Sequence, residues 1–378
     1  MIPFNRPFLP ERALGYIAEA YRSGKVSGDG AFTKRCESFL AERYGCHRTL
    51  LTTSCTAALE LASLLCRIQP GDEVILPSFT FVSTANAFAL RGATLVFVDS
   101  LPDHPNMDPV RVAEVITNRT KAIVPVHYAG VAVDMDPILR LARDVGAIVV
   151  EDSAQAIDAC YRGIPLGTLG DFGAFSFHET KNVHCGEGGL LAIRGAEHVA
   201  RAEILWEKGT NRRAFFRGET DKYSWVDVGS SFLPADILAA LLWSQLEALQ
   251  EINARRFRLW ERYLEALQPL QQAGWLKVPA IPGFAGHNAH CFYVVLPDAP
   301  TRARLIKHLG QREILAVFHY QSLHASPYFA AKHDGRPLPY ADRFSDCLLR
   351  LPLFHDLRDE EQERVIDAML DFFGIGTG

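Results

Sequence analysis

The chain has 378 residues, of which 48% are hydrophobic and 22% charged, and its net charge is −5 at pH 7. That length accommodates one large domain and a smaller one. The negative balance argues against nucleic acid as the main partner, because phosphate neutralisation needs clustered positive charge. No apolar run approaches the ~20 residues that a membrane-spanning helix requires, so no membrane partner is expected.

The opening Met1-Ile2-Pro3-Phe4-Asn5-Arg6-Pro7 lacks the apolar core of a secretory leader, and a cytoplasmic protein is expected. Cysteines 36, 46, 55, 66, 160, 185, 291 and 347 are scattered, with no C-x-x-C, and are expected to be reduced thiols. The segment to about residue 30 reads as loop plus one helix. From residue 50 to 195 strand and helix alternate. Residues 56–67 have helical composition and apolar spacing. Gly71-Asp72 turns into a short strand over 73–76, residues 83–91 are helical, and 94–98 is again a strand. Asp108-Pro109 opens a helix with a capping carboxylate and a proline in the first turn. Residues 121–126 form a strand, 134–145 a helix and 147–150 a strand. Apolar strands without alternation imply a sheet covered on both faces, hence mostly parallel.

Residues 234–268 form a long amphipathic stretch that links two domains or lies across them. Its basic run Arg255-Arg256-Phe257-Arg258 is expected as a solvated helix face. After Gly274, a loop with Pro279, Pro282, Gly283 and Gly286 leads into a strand over 291–296 and a helix over 301–310. A strand over 314–319 and a last helix near 358–373 complete a small α/β domain. The division is placed at 1–245 and 246–378.

The chemistry concentrates in the first of these domains. Glu151-Asp152 closes an apolar strand, the place where open α/β sheets hold their ligands. Phe175-Ser176-Phe177-His178-Glu179-Thr180-Lys181-Asn182 ends in an amine and is followed by the glycine turn Gly186-Glu187-Gly188-Gly189. A carboxylate, a hydroxyl and an amine in this order suggest a pyridoxal phosphate site, where the amine forms a Schiff base and the carboxylate keeps the pyridine nitrogen protonated. Thr52-Thr53-Ser54-Cys55-Thr56-Ala57 precedes a helix, so its amides and hydroxyls form an anion site or an ordinary cap. Gln155 either reaches a ring hydroxyl or is a plain loop residue. Phe81, after the strand over 73–76, either lies on a ring or belongs to the core. No G-x-x-x-x-G-K-[ST] and no G-x-G-x-x-G after the first strand occur, which disfavours a nucleotide P-loop and a dinucleotide fold.

His287, His290 and Cys291 give H-x-x-H-C but lack a second ligand pair at suitable spacing, so no metal is expected. His319-Tyr320 with His324 has no G-x-S-x-G to serve and reads as core or substrate pocket.

Together these motifs resemble the DegT/DnrJ/EryC1/StrS family of sugar-nucleotide aminotransferases over essentially the whole chain. Ser27-Gly28-Asp29-Gly30, Gly71-Asp72-Glu73-Val74, Pro125-Val126-His127-Tyr128-Ala129-Gly130 and Glu151-Asp152-Ser153-Ala154-Gln155 carry the likeness, with Ser176 to Lys181, the glycine turn and His319-Tyr320. The resemblance implies pyridoxal phosphate fold type I, like aspartate aminotransferase: a large domain with a mostly parallel seven-stranded sheet and a smaller C-terminal α/β domain. It implies that Lys181 holds the cofactor, Asp152 pairs with its ring nitrogen and Gln155 contacts its hydroxyl. Cys55, Thr56 and Ser176 would take the phosphate and Phe81 the ring face. Glu207-Lys208-Gly209-Thr210-Asn211-Arg212, Phe215-Phe216-Arg217-Gly218, Asp221-Lys222-Tyr223 and Gly229-Ser230-Ser231 resemble the members that form dTDP-4-amino-4,6-dideoxygalactose. The resemblance then implies L-glutamate as donor, dTDP-4-keto-6-deoxy-D-glucose as acceptor, and a product for enterobacterial common antigen or O-antigen. Other keto-sugar nucleotides remain open, as does sugar dehydration, although the dehydrating relatives carry histidine in place of the lysine. A homodimer with shared sites is also implied, Ser231 contacting the neighbour's cofactor and Lys222 and Tyr223 reaching across, with His319 and Tyr320 on the substrate side. Where many members have G-x-N-x-R, this chain has Gly229-Ser230-Ser231-Phe232-Leu233, so the arginine's role does not carry over.

Overall fold

The computed structural model describes residues 1–374. The elements of the first half are α1 (Ala13–Arg22), α2 (Ala31–Tyr44), β1 (Arg48–Thr52), α3 (Cys55–Leu65), β2 (Glu73–Pro77), α4 (Val82–Ala89), β3 (Thr94–Val98), α5 (Pro109–Val115), β4 (Thr120–Ile123), α6 (Met135–Val145) and β5 (Ile148–Asp152). A short hairpin, β6 (Cys160–Tyr161) and β7 (Ile164–Pro165), precedes β8 (Phe172–Ser176) and β9 (Gly189–Ile193). Then come α7 (Val199–Trp206), α8 (Arg212–Phe216), α9 (Asp236–Glu247), α10 (Leu249–Gln272), β10 (Ala285–Gly286), β11 (Phe292–Val295), α11 (Ala299–Gln311), α12 (Pro339–Cys347), β12 (Leu348–Leu351) and α13 (Asp359–Phe372).

Local chemistry sets several of these boundaries. Ser54 caps α3 by accepting from the Ala57 amide at 3.1 Å, Asp108 caps α5 through the Val110 amide at 2.9 Å, and Asp298 caps α11 through Thr301 at 2.7 Å. Gly45 and Gly146 end α2 and α6 in the left-handed conformation.

Seven strands form one sheet in the order β1-β9-β8-β5-β4-β2-β3. β9 runs antiparallel to both β1 and β8, and the remaining pairs are parallel. The mostly parallel sheet implied by the sequence is therefore present. Its parallel strands end on one edge, at Pro77, Ile123, Asp152 and Ser176. Buried apolar clusters cover the sheet, as continuous apolar strands require.

A second core lies between α10, α11, α13 and the hairpin-like pair β11–β12, and it also takes in Ile2 from the chain start. Side chains on these two strands alternate between cores. Phe292, Val294, Leu349 and Leu351 face the second core, whereas Cys291, Tyr293, Val295 and Leu348 join the core beside the large sheet. Arg350 shares the parity of Leu348 and so faces the large sheet.

The amphipathic stretch over 234–268 is two helices, α9 and α10, which meet at Ala248. Three sequence expectations need correction. The strand expected over 121–126 ends at Ile123, because Pro125 has no N–H to continue the ladder. No strand forms over 314–319. Ile314 bridges Ile2, Val317 bridges Arg350, and these two isolated bridges divide the segment between different partners. Finally, Arg256 is not solvated. It is 3% exposed and donates to the carbonyls of Ala289, His290 and Leu353, tying α10 to the chain on either side of β11 and β12.

Replacing Arg256 by Leu leaves three buried carbonyls without donors, each costing about 1–3 kcal/mol. Denaturant unfolding should show a loss of about 3 kcal/mol or more for Arg256→Leu. A change within 0.5 kcal/mol, roughly the noise of surface substitutions, would contradict this role.

Candidate active site

A cavity of about 450 Å³ opens at the edge where the parallel strands end. The chain after β5, the chain after β8 and the start of α3 supply one part of its wall. His290, Cys291, His319, Tyr320, Arg350 and Leu353 supply another, and Phe4 and Asn5 contribute from the chain start.

Strand alternation decides which carboxylate reaches the cavity. Glu151 and Asp152 point to opposite faces. Glu151 accepts from the amides of Gly167, Leu169 and Gly170 at 2.7–2.8 Å and from His127 Nε2 at 2.9 Å. The imidazole can donate there because its Nδ1 accepts from the Val133 amide at 3.2 Å. Asp152 lines the cavity instead. It accepts from the Thr84 hydroxyl at 2.7 Å and from the Ala154 amide at 3.1 Å. Burial pushes its carboxyl above the ordinary range, while Thr84, Ala154 and then the charges of Lys181 and His127 pull the other way. A cation placed beside Asp152 would therefore be strongly favoured.

Lys181 follows a tight turn in which its amide donates to the His178 carbonyl at 2.9 Å. The turn sits beside β9, where Gly189 is forced: a Cβ there would overlap the backbone of Ser54 and Cys55. This close approach brings the start of α3 against the end of β8. Cys55, Thr56 and Ser176 thereby line one cavity, and the free amides of the first turn of α3 make an anion cup. Thr56 and Ser83 share a hydroxyl hydrogen bond of 2.7 Å. The Ser176 hydroxyl oxygen accepts from the His178 amide at 3.3 Å and keeps its own proton available. Burial pushes the Cys55 thiol well up, so it is a neutral wall group.

Gln155 accepts from the Ala129 amide at 2.6 Å and donates through Nε2 to the Tyr320 hydroxyl at 3.0 Å, leaving one N–H to spare. The ring of Phe81 is 53% exposed, unlike a core phenylalanine, and lies 5.7 Å from that of Tyr320. Burial, followed by the charges of Arg350 and Lys181, lowers the His319 imidazole to about 4, so it is neutral at pH 7. Burial, followed by the charges of Lys181, Arg256 and Arg350, holds His290 well below its ordinary value. Asn182 spends its amide nitrogen on Asn253 and the Asn288 carbonyl, so its oxygen accepts from His290 Nδ1 at 3.0 Å.

Nine of the residues singled out from sequence thus border one cavity: Cys55, Thr56, Phe81, Asp152, Gln155, Ser176, Lys181, His319 and Tyr320. Lys222, Tyr223 and Ser231 do not. They lie on the segment running from α8 toward α9, where Ser231 bridges Glu207. His287 packs on Phe257 and Trp260, away from His290, and His324 bonds the Ser78 hydroxyl at 2.7 Å. Sequence reasoning missed Thr84 and Arg350, and it weighed His290 only as a metal ligand, not as a wall of this cavity. Only Arg350 carried a signal, as one charge inside the apolar run Cys347–Leu353.

Solved structures resemble the whole chain. The aminotransferase TlmJ of Streptoalloteichus hindustanus is 34% identical, with a TM-score of 0.90 and 99% of each chain covered. DesV of S. venezuelae is 33% identical at a TM-score of 0.87, covering 97% of this chain and 95% of its own. The putative sugar aminotransferase Spr1654 of Streptococcus pneumoniae in its PLP form is 27% identical at 0.88, with 100% of each chain covered. The sequence profile of the DegT/DnrJ/EryC1/StrS aminotransferase family matches residues 8–370, and the chain belongs to that family of pyridoxal phosphate enzymes.

Proposed function

We propose that this aminotransferase moves the amino group of L-glutamate to C4 of dTDP-4-keto-6-deoxy-D-glucose, giving dTDP-4-amino-4,6-dideoxy-D-galactose and 2-oxoglutarate. The observation that supports the chemistry most is Lys181 and the buried Asp152 in one cavity, close enough for the lysine's charge to act on the carboxylate.

The residues present fit the cofactor. The amides and hydroxyls of Cys55, Thr56 and Ser176 suit its phosphate, and the Asp152 carboxylate suits a protonated ring nitrogen. The spare N–H of Gln155 suits its ring hydroxyl, the exposed face of Phe81 its ring, and the Lys181 amine its aldehyde. When bound, the cofactor supplies an electron sink for the pair left behind as a proton departs. Around it the chain positions and moves protons. Lys181 Nζ takes the proton from the donor's Cα and returns one in the second half-reaction. Delivered to C4 of the sugar from one face, that proton fixes the axial amine of the galacto product. Asp152 keeps its negative charge because a cation beside it offsets the cost of burial.

Incubation with L-glutamate and the keto sugar should yield 2-oxoglutarate in step with an amino sugar whose 4-amine is axial by NMR. Lys181→Ala should lower turnover by at least about 10³-fold, the scale of removing an acid–base group. A deoxygenated sugar without 2-oxoglutarate, or normal turnover by the alanine variant, would refute the reading.

Asp152→Asn separates cofactor binding from folding. With a folded pKa above the unfolded one, Asp152 costs no stability below its unfolded pKa. Its cost grows as pH rises through the folded value. The cofactor-free asparagine variant should therefore melt no lower than the wild type at pH 7, while cofactor retention weakens roughly a hundredfold, the scale of losing a close opposite charge. Retention equal to the wild type in a spectral titration would remove the ring-nitrogen role.

We infer a homodimer with shared sites. The segment carrying Lys222, Tyr223 and Ser231 exposes Phe216 (70%), Tyr223 (55%) and Trp225 (80%), a cluster of aromatics suited to cover by a second copy. Sedimentation should return a dimer at assay concentration, and a fully active monomer would exclude shared sites.

A further inference from the structure

We propose that His290 is a positioning residue for Lys181, its Nε2 lone pair holding the lysine's ammonium in the cavity once the amine has taken the donor's Cα proton; the proposal rests on the aminotransferase reading above. His290 lies just before β11 and lines the cavity while only 6% exposed. Its partners place its proton. Asn182 donates through Nδ2 to the Asn288 carbonyl at 2.8 Å and to Asn253 Oδ1 at 3.1 Å. A backbone carbonyl only accepts, so the Asn182 amide has one orientation, and its Oδ1 faces His290 Nδ1 at 3.0 Å. Nδ1 must therefore carry the proton of the ring.

Nε2 is then a bare lone pair. Among the described residues no donor meets it, yet it is not one of the sealed polar atoms, so it opens onto the cavity. The ring does not respond by taking a second proton. Burial disfavours the imidazolium, and the charges of Lys181, Arg256 and Arg350 add to that. Nδ1 is tied to Asn182 and the ring stays neutral, so Nε2 is a fixed acceptor held ready for a donor in the cavity.

Three observations make Lys181 that donor. Asn182 is the next residue in the chain, so the side chain that sets the tautomer is joined directly to the backbone of Lys181. The charge of Lys181 acts on His290 more strongly than that of Arg256 or Arg350. The two arginines do not compete: Arg256 spends its donors on three carbonyls, and Arg350 uses Nε on the Tyr128 hydroxyl and has a sealed Nη2 without a partner. When Nζ takes the proton from Cα, the carbon keeps the electron pair and the amine becomes a cation. A neutral lone pair favours that cation and fixes where its remaining protons point. Because the imidazole resists protonation, the proton stays on Nζ, ready to be returned.

Two variants separate this role from packing. His290→Asn keeps a donor for Asn182 but removes the distal acceptor, whereas His290→Gln keeps a distal acceptor and gives up the tie to Asn182. In the full-length protein without cofactor, a hydrogen-bonded ammonium resists acylation. Acetic anhydride near neutral pH, read by mass spectrometry on the peptide carrying Lys181, should modify that lysine roughly tenfold faster in His290→Asn than in the wild type, the scale of one hydrogen bond to a charged group. His290→Gln should stay within about threefold of the wild type. In the holoenzyme His290→Asn should lower kcat of both half-reactions by roughly tenfold or more while each KM stays within about threefold, because both half-reactions pass a proton through Lys181. His290→Gln should recover most of that rate while melting lower than the wild type. Equal acylation of the wild type and the asparagine variant overturns the proposal, whether or not the glutamine variant folds. A loss confined to the sugar half-reaction overturns it as well and assigns Nε2 to a sugar hydroxyl. Equal losses in the two variants also overturn it and leave His290 a packing role. A wild-type protein that forms no 2-oxoglutarate sinks the aminotransferase reading but leaves the acylation comparison standing.

Discussion

The end of β5 is the constraint on which the site depends. Two neighbouring carboxylates there cannot face the same way, and the fold gives them unlike surroundings. Glu151 is fully buried, and three backbone amides and one imidazole satisfy it. It fixes both the 167–170 loop and the strand's rotation. That rotation is what sends Asp152 into the cavity with two donors, one on each oxygen, against the four that Glu151 has. One carboxylate is used up so that the other stays available to a ligand cation.

The same logic of close approach builds the opposite end of the cavity. β9 runs between β1 and β8, and its first residue passes the backbone of Ser54 so tightly that no side chain fits. The Lys181 turn precedes that residue and α3 begins beside it, so an anion cup and an amine share one wall. Neither feature is informative alone. A serine-capped helix start and a lysine in a loop are commonplace, and the crossing of β9 turns them into a site.

Much of this was legible in the sequence because it is local. Apolar runs without alternation marked the parallel strands, Asp108 and Pro109 marked the start of α5, and the motifs around Asp152 and Lys181 marked the chemistry. What failed was long-range. The segment after Glu313 looks like a strand by composition, but Ile2 and Arg350 each claim one of its residues. Arg256 looked like one of a solvated basic run, yet α10 turns it inward onto three carbonyls whose residues lie 33 to 97 positions away. Thr84 and His290 acquire their roles only through partners on other elements. Residues 222, 223 and 231 lie outside the cavity, on the chain between α8 and α9.

The pair β11–β12 joins these observations. Its alternation serves two cores at once, so it cannot slip by one residue without burying Arg350 in an apolar cluster and turning Leu349 and Leu351 toward the cavity. Register, packing and site electrostatics are therefore locked together at β12. Arg256 holds the carbonyls of His290 and Leu353 at the Phe292–Leu351 end of this strand pair, just as Glu151 holds the loop beside Asp152. In each case a fully engaged buried charge fixes the backbone that presents a second charge to the cavity. Asp152 and Arg350 are opposite in sign, and both border the cavity, so it offers a negative group at one position and a positive one at the other. A protein that paired both charges internally would pack more stably around this cavity and would have no electrostatic reason to bind a ligand of either sign.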